Sequence, residues 1–252
     1  MNQTLELCRF VYNETLATRK NAWEHEQKSI SNYDTHNMLP SWKTQHPELK
    51  TVHSQVLQEA QQRVDIAFKA FFRRVKSGDQ GKAGYPRFKG KGWYDSFTYP
   101  QSGFSLDLDG SSSLDLEMVR LCKIGNVKLK LHRTIEGTIK RLNVKRRPTG
   151  KWFACFTVDL GHNELAPRAY KDGAMIGVDV GLTSFATLSN GGHIENPRFF
   201  KTEQNALAKA QRTLSAQEKG TPQRAKKRKV VARVHERIAN RRNNFAHQLS
   251  KP

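Results

Sequence analysis

The sequence predicts an α+β protein of more than one domain: a helical N-terminal unit, a small antiparallel β-barrel or sandwich, then a short β-meander running into helices. Three observations predict it. Apolar residues recur at helical spacing within the first 76 positions, alternate in short blocks from Ser77, and return to helical spacing from Thr202. The length, 252 residues, leaves room for more than one domain.

Residues 3 to 30 read as a helix, with Leu5, Cys8, Tyr12, Leu16 and Trp23 three, four and seven apart. Residues 31 to 50 contain Pro40 and Pro47 among many Asn, Ser and Thr, and read as loops or short helices. Residues 51 to 76 give the clearest helix, its stripe formed by Val52, Val56, Ala60, Val64, Ala67, Phe71 and Val75. The Gly-rich SGDQGKAG that follows marks a boundary, so 1 to 76 forms one unit and 77 to 172 another. Strands are expected around Phe104 to Leu108, Val127 to Leu131, Ile139 to Val144 and Trp152 to Val158, with RRPTGK at 146 to 151 as a hairpin turn. Phe88, Phe97 and Tyr99 are expected to plug the barrel. A third unit, 173 to 252, opens with a strand through Asp179 and a second strand from Thr183 to Leu188. Ser189 to Gly192 is a hairpin turn into His193-Ile194-Glu195. The final helix carries the apolar stripe Val231, Val234, Ile238, Phe245 and Leu249. No internal repeat is present.

Charge is the dominant bulk property. Lys and Arg number 43 against 23 Asp and Glu, a net +20 with a pI near 10.1. The excess rises along the chain, +3, +7 and +10 in the three units. Such a chain favours a polyanionic partner, above all nucleic acid. A membrane-surface role is the competing reading, but the charge is not confined to one amphipathic helix. No apolar run approaches membrane-spanning length, and MNQTLELCRF lacks the features of a signal peptide. Cys8, Cys122 and Cys155 form no C-x-x-C pair, so they read as thiols in a reducing cytoplasm rather than zinc ligands or a disulfide framework. Neither a P-loop nor G-x-S-x-G is present, and the scattered histidines are given no role.

Three stretches suit nucleic acid. On the last helix Lys229, Arg233, Arg237 and Arg241 stand in one row four residues apart, with Lys226 a turn before. Like charges at that spacing repel, and a phosphate backbone would relieve them; a solvated face is the alternative. In 82 to 101, Lys82, Arg87, Lys89 and Lys91 interleave with Tyr85, Trp93 and other rings, a pattern that holds phosphates and stacks bases. Lys145, Arg146 and Arg147 lie at the hairpin, where consecutive side chains point to different sides and at most two face one ligand. One acid stands apart. Asp179 follows Met175-Ile176-Gly177-Val178 in what reads as a buried strand. A carboxylate there needs a cation partner, a local turn or a metal.

GVDVGLTSFATLSNG at 177 to 191, IENPRFF at 194 to 200 and KVVARVHERIANRRNNFAHQLS at 229 to 250 resemble the TnpB (OrfB-type) family of bacterial insertion sequences. CRFVYNETLATRKNAW, YPRFKGKGWYDSFTYPQ and LHRTIEGTIKRLNVKRRPTGKWFACFTV match the same pattern in order, so the resemblance spans nearly the whole chain. It implies an RNA-guided DNA endonuclease related to type V CRISPR effectors, with a guide RNA from the transposon end and a target DNA as partners, in the bacterial cytoplasm. It further implies a helical recognition lobe at 1 to 76, a wedge β-barrel at 77 to 172, and the first part of an RNase H-like RuvC domain at 173 to 252. Asp179 then matches the first catalytic acid and a Mg²⁺ ligand. The chain departs from the family at both ends. The opening wedge strand is missing, and the sequence stops before the catalytic Glu, the zinc ribbon and the last catalytic Asp. The expectation is therefore a cleavage-defective chain with an incomplete Mg²⁺ site, no zinc site and an open apolar strand edge. Glu195 and Glu203 match no catalytic position of the family. A non-catalytic, repressor-like DNA-binding protein is the alternative, and IGVDVGLTS also resembles the first phosphate loop of actin-like ATPases.

Overall fold

The computed structural model describes residues 1–77, 83–107, 117–161 and 175–250. They fall into two compact units, Met1–Arg147 with Trp152–His162, and Pro148–Lys151 with Asn163–Pro252.

The first unit begins with α1 (Asn2–Glu26), which buries Leu5, Cys8, Val11, Tyr12 and Leu16 and ends where Gln27 takes a left-handed conformation. Trp23, on the predicted stripe, is instead exposed. α2 (Asn32–Gln45) is a full helix where the sequence suggested loops. Its start is set by a reciprocal cap: Ser31 Oγ accepts from the Asp34 amide, and the Asp34 carboxylate accepts from the Ser31 amide. Pro40 lies inside this helix. A short 3₁₀ turn (Pro47–Thr51) leads into α3 (Ser54–Lys76), which buries Val56, Leu57, Ala60, Val64 and Phe68.

Two open three-stranded antiparallel sheets follow. β1 (Ser96–Tyr99), β5 (Thr138–Arg146) and β6 (Trp152–Asp159) are ordered β1-β5-β6. The strands β2 (Phe104–Asp107), β3 (Glu117–Leu121) and β4 (Gly125–Leu129) are ordered β2-β3-β4. The barrel expected from the alternation is not closed among the described residues, because each sheet ends in strands paired on one side only. Phe97 and Tyr99 are buried as expected, whereas Phe88 is exposed. Helices and sheets share one core: Leu5, Val11, Leu57 and Val64 belong to the same buried cluster as Phe97, Tyr99, Val119, Leu142 and Val144. Arg63 crosses that junction, donating to the Ser96 carbonyl at 2.8 Å and to Thr98 Oγ1 at 3.0 Å.

In the second unit β7 (Val178–Asp179), β8 (Ser184–Leu188) and β9 (His193–Glu195) form an antiparallel meander in the order β7-β8-β9. The predicted hairpin is present: the Leu188 amide donates to the Gly192 carbonyl at 2.8 Å, and Gly191 adopts φ +86°. Two helices, α4 (Phe199–Ser215) and α5 (Pro222–Leu249), pack as a hairpin around Leu207, Val234 and Ile238. Phe245 lies edge-on to both Phe185 of β8 and Phe199 of α4, at 5.0 and 5.7 Å between centroids.

Candidate nucleic-acid interface

The 83–95 segment is tied to α1 by Asn13 and by Arg9, which donates to the Lys89 carbonyl at 3.3 Å. Asn13 Nδ2 donates to the Lys89 carbonyl at 3.0 Å, and its Oδ1 accepts from the Lys89 amide at 2.8 Å. Just beyond, the Trp93 amide donates to the Gly90 carbonyl at 3.0 Å, closing a turn in which Gly92 adopts φ +82°, a conformation glycine adopts without cost. This anchored turn holds Lys91 and Trp93 in solvent, the indole 80 % exposed. Arg87 is also exposed, while the Lys89 ammonium leans over the Tyr12 ring at 5.8 Å. Tyr85 packs edge-on to Phe68 and Phe71 at 5.5 and 5.3 Å, and burial is the main cause that raises its hydroxyl pKa above the ordinary value. Lys82 lies outside the described residues.

At the hairpin, the three cations have three different partners. Lys145 sits 3.6 Å from Asp95, Arg146 donates to Asn2 Oδ1 at 2.9 Å, and Arg147 covers the Phe153 ring at 5.3 Å. Two of the three thus spend polar contacts within the unit.

α5 carries nine Lys and Arg against one Glu. Thr221 caps its start and Pro222 occupies its first turn. Arg224 reaches back to donate to the Leu214 and Gln217 carbonyls, tying the start of α5 to the end of α4 and the link that follows it. The predicted row divides in two. Arg237 donates to the buried Glu203 carboxylate at 3.0 Å, Arg241 forms an ion pair with its other oxygen at 3.0 Å, and the two clasp α5 to α4. Lys226, Lys229 and Arg233 are exposed and make no ion pair among the described residues. Sequence reasoning missed this clasp, although Glu203 and the two arginines sit on neighbouring helices joined by a short link.

Asp179 is exposed, which corrects the expectation of a carboxylate on a buried strand. The reason is topological. β7 is two residues long and among the described residues pairs on one side only, Asp179 opposite Thr187, and the apolar residues flanking it are exposed too. Among the described residues no hydrogen bond or ion pair engages the Asp179 side chain, so neither a guanidinium nor a turn amide neutralises it there. Thr187 also pairs with His193, which places Asp179, Thr187 and His193 in one row across the sheet. Two strand spacings, about 10 Å, separate the ends of that row, too far to share one cation. No group of three His, Cys, Asp or Glu among the described residues could hold a metal. The described side chains thus do not form the two-cation cradle that the resemblance implies.

The architecture and charge define a basic α+β chain with unpaired cations and rings on its surface. Comparison with known proteins makes this specific. Residues 155–252 match the OrfB family of IS605-type insertion sequences, described as a probable transposase, and residues 1–28 match that family's helix-turn-helix domain. The chain is 32 % identical over 245 residues to a protein of Escherichia coli (strain K12) named "Putative RNA-guided DNA endonuclease InsQ", covering 96 % of this chain and 56 % of that one. A protein of Streptomyces pristinaespiralis named "Putative RNA-guided DNA endonuclease" is 32 % identical over 253 residues, covering 99 % of this chain and 59 % of its own length. The chain belongs to the OrfB (TnpB) family of insertion-sequence proteins. It spans little more than half the length of these relatives. The stretch matched as a helix-turn-helix holds one continuous helix, α1, whose apolar face is spent on the core. No helix among the described residues is long and apolar enough to cross a membrane.

Proposed function

We propose that this chain binds a guide RNA from a transposon end together with target DNA, in the bacterial cytoplasm, and that by itself it does not cut. The observation that carries the binding is the unpaired cationic face of α5, where Lys226, Lys229 and Arg233 have no acidic partner among the described residues and Arg237 and Arg241 stand beside them. Repulsion along such a face is relieved when phosphates replace its counterions. The 83–95 turn adds Arg87, Lys91 and Trp93, and the hairpin adds Arg147. The names of the two relatives point to RNA and DNA as the polyanions.

On this reading 1 to 76 serves as the recognition lobe, 77 to 172 as the wedge and 173 to 252 as the opening of RuvC. An antiparallel meander whose first strand bears an exposed acid, followed by helices, supports the last assignment. Asp179 would ligate Mg²⁺, an ion that activates the attacking water and stabilises the leaving oxygen of a phosphodiester. Among the described residues one carboxylate stands there, and one does not fix two such ions, which supports binding without cleavage.

The test co-expresses the chain with its transposon end, recovers bound RNA, and incubates the complex with matching DNA and Mg²⁺. A discrete RNA and intact DNA are expected. Robust cutting that Asp179→Asn abolishes would overturn the cleavage-defective reading, and recovery of heterogeneous RNA would overturn guided binding.

A further inference from the structure

Three large rings that ought to be buried converge on one cavity of the first unit. Trp23 of α1, Phe72 of α3 and Tyr85 are 54, 53 and 43 % exposed. Together with Phe68 and Phe71 they line a cavity of about 310 Å³, which Arg19 and Lys28 complete. Phe68 is the buried floor. The Arg19 guanidinium lies over its ring at 4.5 Å and is fixed there by Asp65 at 3.1 Å. Phe72 lies nearly parallel to Phe68, at 23° and 6.2 Å, while Tyr85 stands upright against Phe68 at 88°. The Tyr85 backbone is held in turn, because Arg74 donates to the adjacent Gly84 carbonyl at 3.0 Å. These are rings set by their neighbours and left with open faces.

We propose that this cavity takes one unstacked nucleobase of a single-stranded nucleic acid, stacked among Trp23, Phe72 and Tyr85, with the adjoining phosphates on Lys28 and the last turn of α3. The inference rests on the nucleic-acid reading above and adds a site in which Trp23 and Phe72, outside all of its cationic surfaces, join Tyr85 of the 83–95 segment. Charge complementarity selects the occupant over an apolar peptide. Arg73, Arg74 and Lys76 crowd the end of α3, and Lys28 borders the opposite wall. Of the nearby acids, Glu24 is matched with Lys20 at 3.6 Å and Asp65 with both Arg19 and Lys69, which leaves Glu26 against the cations Lys28, Arg73, Arg74 and Lys76. Planar, sequence-tolerant recognition is what aromatic walls beside cations provide.

The probes are an all-uridine RNA, an all-thymidine DNA and a mixed-sequence duplex, each of about 12 nucleotides or base pairs. Each is titrated into the full chain, its Trp23→Ala and Phe72→Ala variants, and Phe72→Tyr. Both positions are half exposed, so the variants should keep the fold, and thermal melts check that they do. Loss of one stacking partner should weaken single-strand affinity about tenfold. Duplex affinity should not change, and Phe72→Tyr should bind as the parent does. The single strand that loses more identifies the source of the base. Variants that bind single strands as the parent does, or that lose single strand and duplex equally, overturn the inference and leave the proposed function standing. A parent chain that binds none of the probes at low salt overturns both.

Discussion

Asp65 shows how much one side chain can decide. It is a buried acid that receives Arg19 at 3.1 Å and Lys69 at 2.9 Å. Burial alone would raise its pKa, and this is the largest influence, but hydrogen bonds and charge from Lys69 and Arg19 together hold it below the ordinary carboxylate value. The folded chain therefore holds this proton less tightly than the unfolded one. The stability it contributes is present above the unfolded pKa, about 3.9, and is lost as pH falls through the lower folded value. Asp65→Asn should destabilise the first unit by about 3 kcal/mol at neutral pH, because Arg19 loses its buried partner. The variant should also lose less stability than the parent between pH 7 and pH 3. Denaturant unfolding at the two pH values checks both, and an unchanged acid dependence would show that other carboxylates carry it. Burial likewise governs Cys8, whose thiol is pushed up to about 12 by desolvation, as expected for an inert core thiol. Much at this scale is legible in the sequence. Leu5, Cys8, Tyr12 and Leu16 declare a buried stripe, and the structure buries them. Trp23 continues the same spacing yet is exposed, because α1 runs past the core that its first four turns pack against. Asp179 is placed correctly on a strand by its apolar neighbours. Its exposure is not legible, since periodicity says nothing about how many strands flank it.

Elements form where local chemistry is unambiguous. α2 is the instructive case. Pro40 and a polar composition argue against a helix, but Ser31 and Asp34 stand three apart and make both bonds of the N-terminal cap. That local signal can be read from S-N-Y-D. The division of labour on α5 cannot, because it depends on which face meets α4. Lys226, Lys229 and Arg233 face solvent, whereas Arg237 and Arg241 hold Glu203. The two groups should therefore respond differently to substitution. Replacing Lys226, Lys229 and Arg233 together by Ala should leave stability unchanged. It should lower the slope of log affinity against log salt for duplex DNA by about 2.7, at about 0.9 per phosphate contact. Replacing Arg237 and Arg241 by Ala should instead destabilise the α4–α5 hairpin by about 2 kcal/mol, since a buried carboxylate loses both donors. Salt-dependent binding and thermal melts on the two variants distinguish the roles. A salt slope unmoved by the triple substitution would remove α5 from the interface.

The two units differ in how well each closes over its apolar surface. The first has one continuous core drawn from three helices and six strands. The second buries Leu207, Val234 and Ile238 with Val231 against them, and otherwise leans on the Phe185, Phe199 and Phe245 cluster. The consequence lies along β7. Met175, Ile176, Val178 and Val180 are all more than half exposed, and Leu182 reaches 92 %. Among the described residues β7 pairs only with β8, which leaves these side chains along its other edge. Alternating apolar residues at an unpaired edge form a template for another strand, and nothing on β7 itself blunts it beyond the single charge of Asp179. Two routes of self-association follow, strand addition along the free backbone and packing of the exposed side chains. Both are opposed by a cation at the edge, whose burial in a second copy would cost several kcal/mol. The double substitution Val180→Lys and Leu182→Lys should therefore reduce concentration-dependent association of the isolated chain. The melting temperature should hold, because both side chains are mostly exposed. Light scattering over a concentration series with and without the substitutions reads the effect. Equal scattering from the two chains would mean that association, where it occurs, runs through another surface.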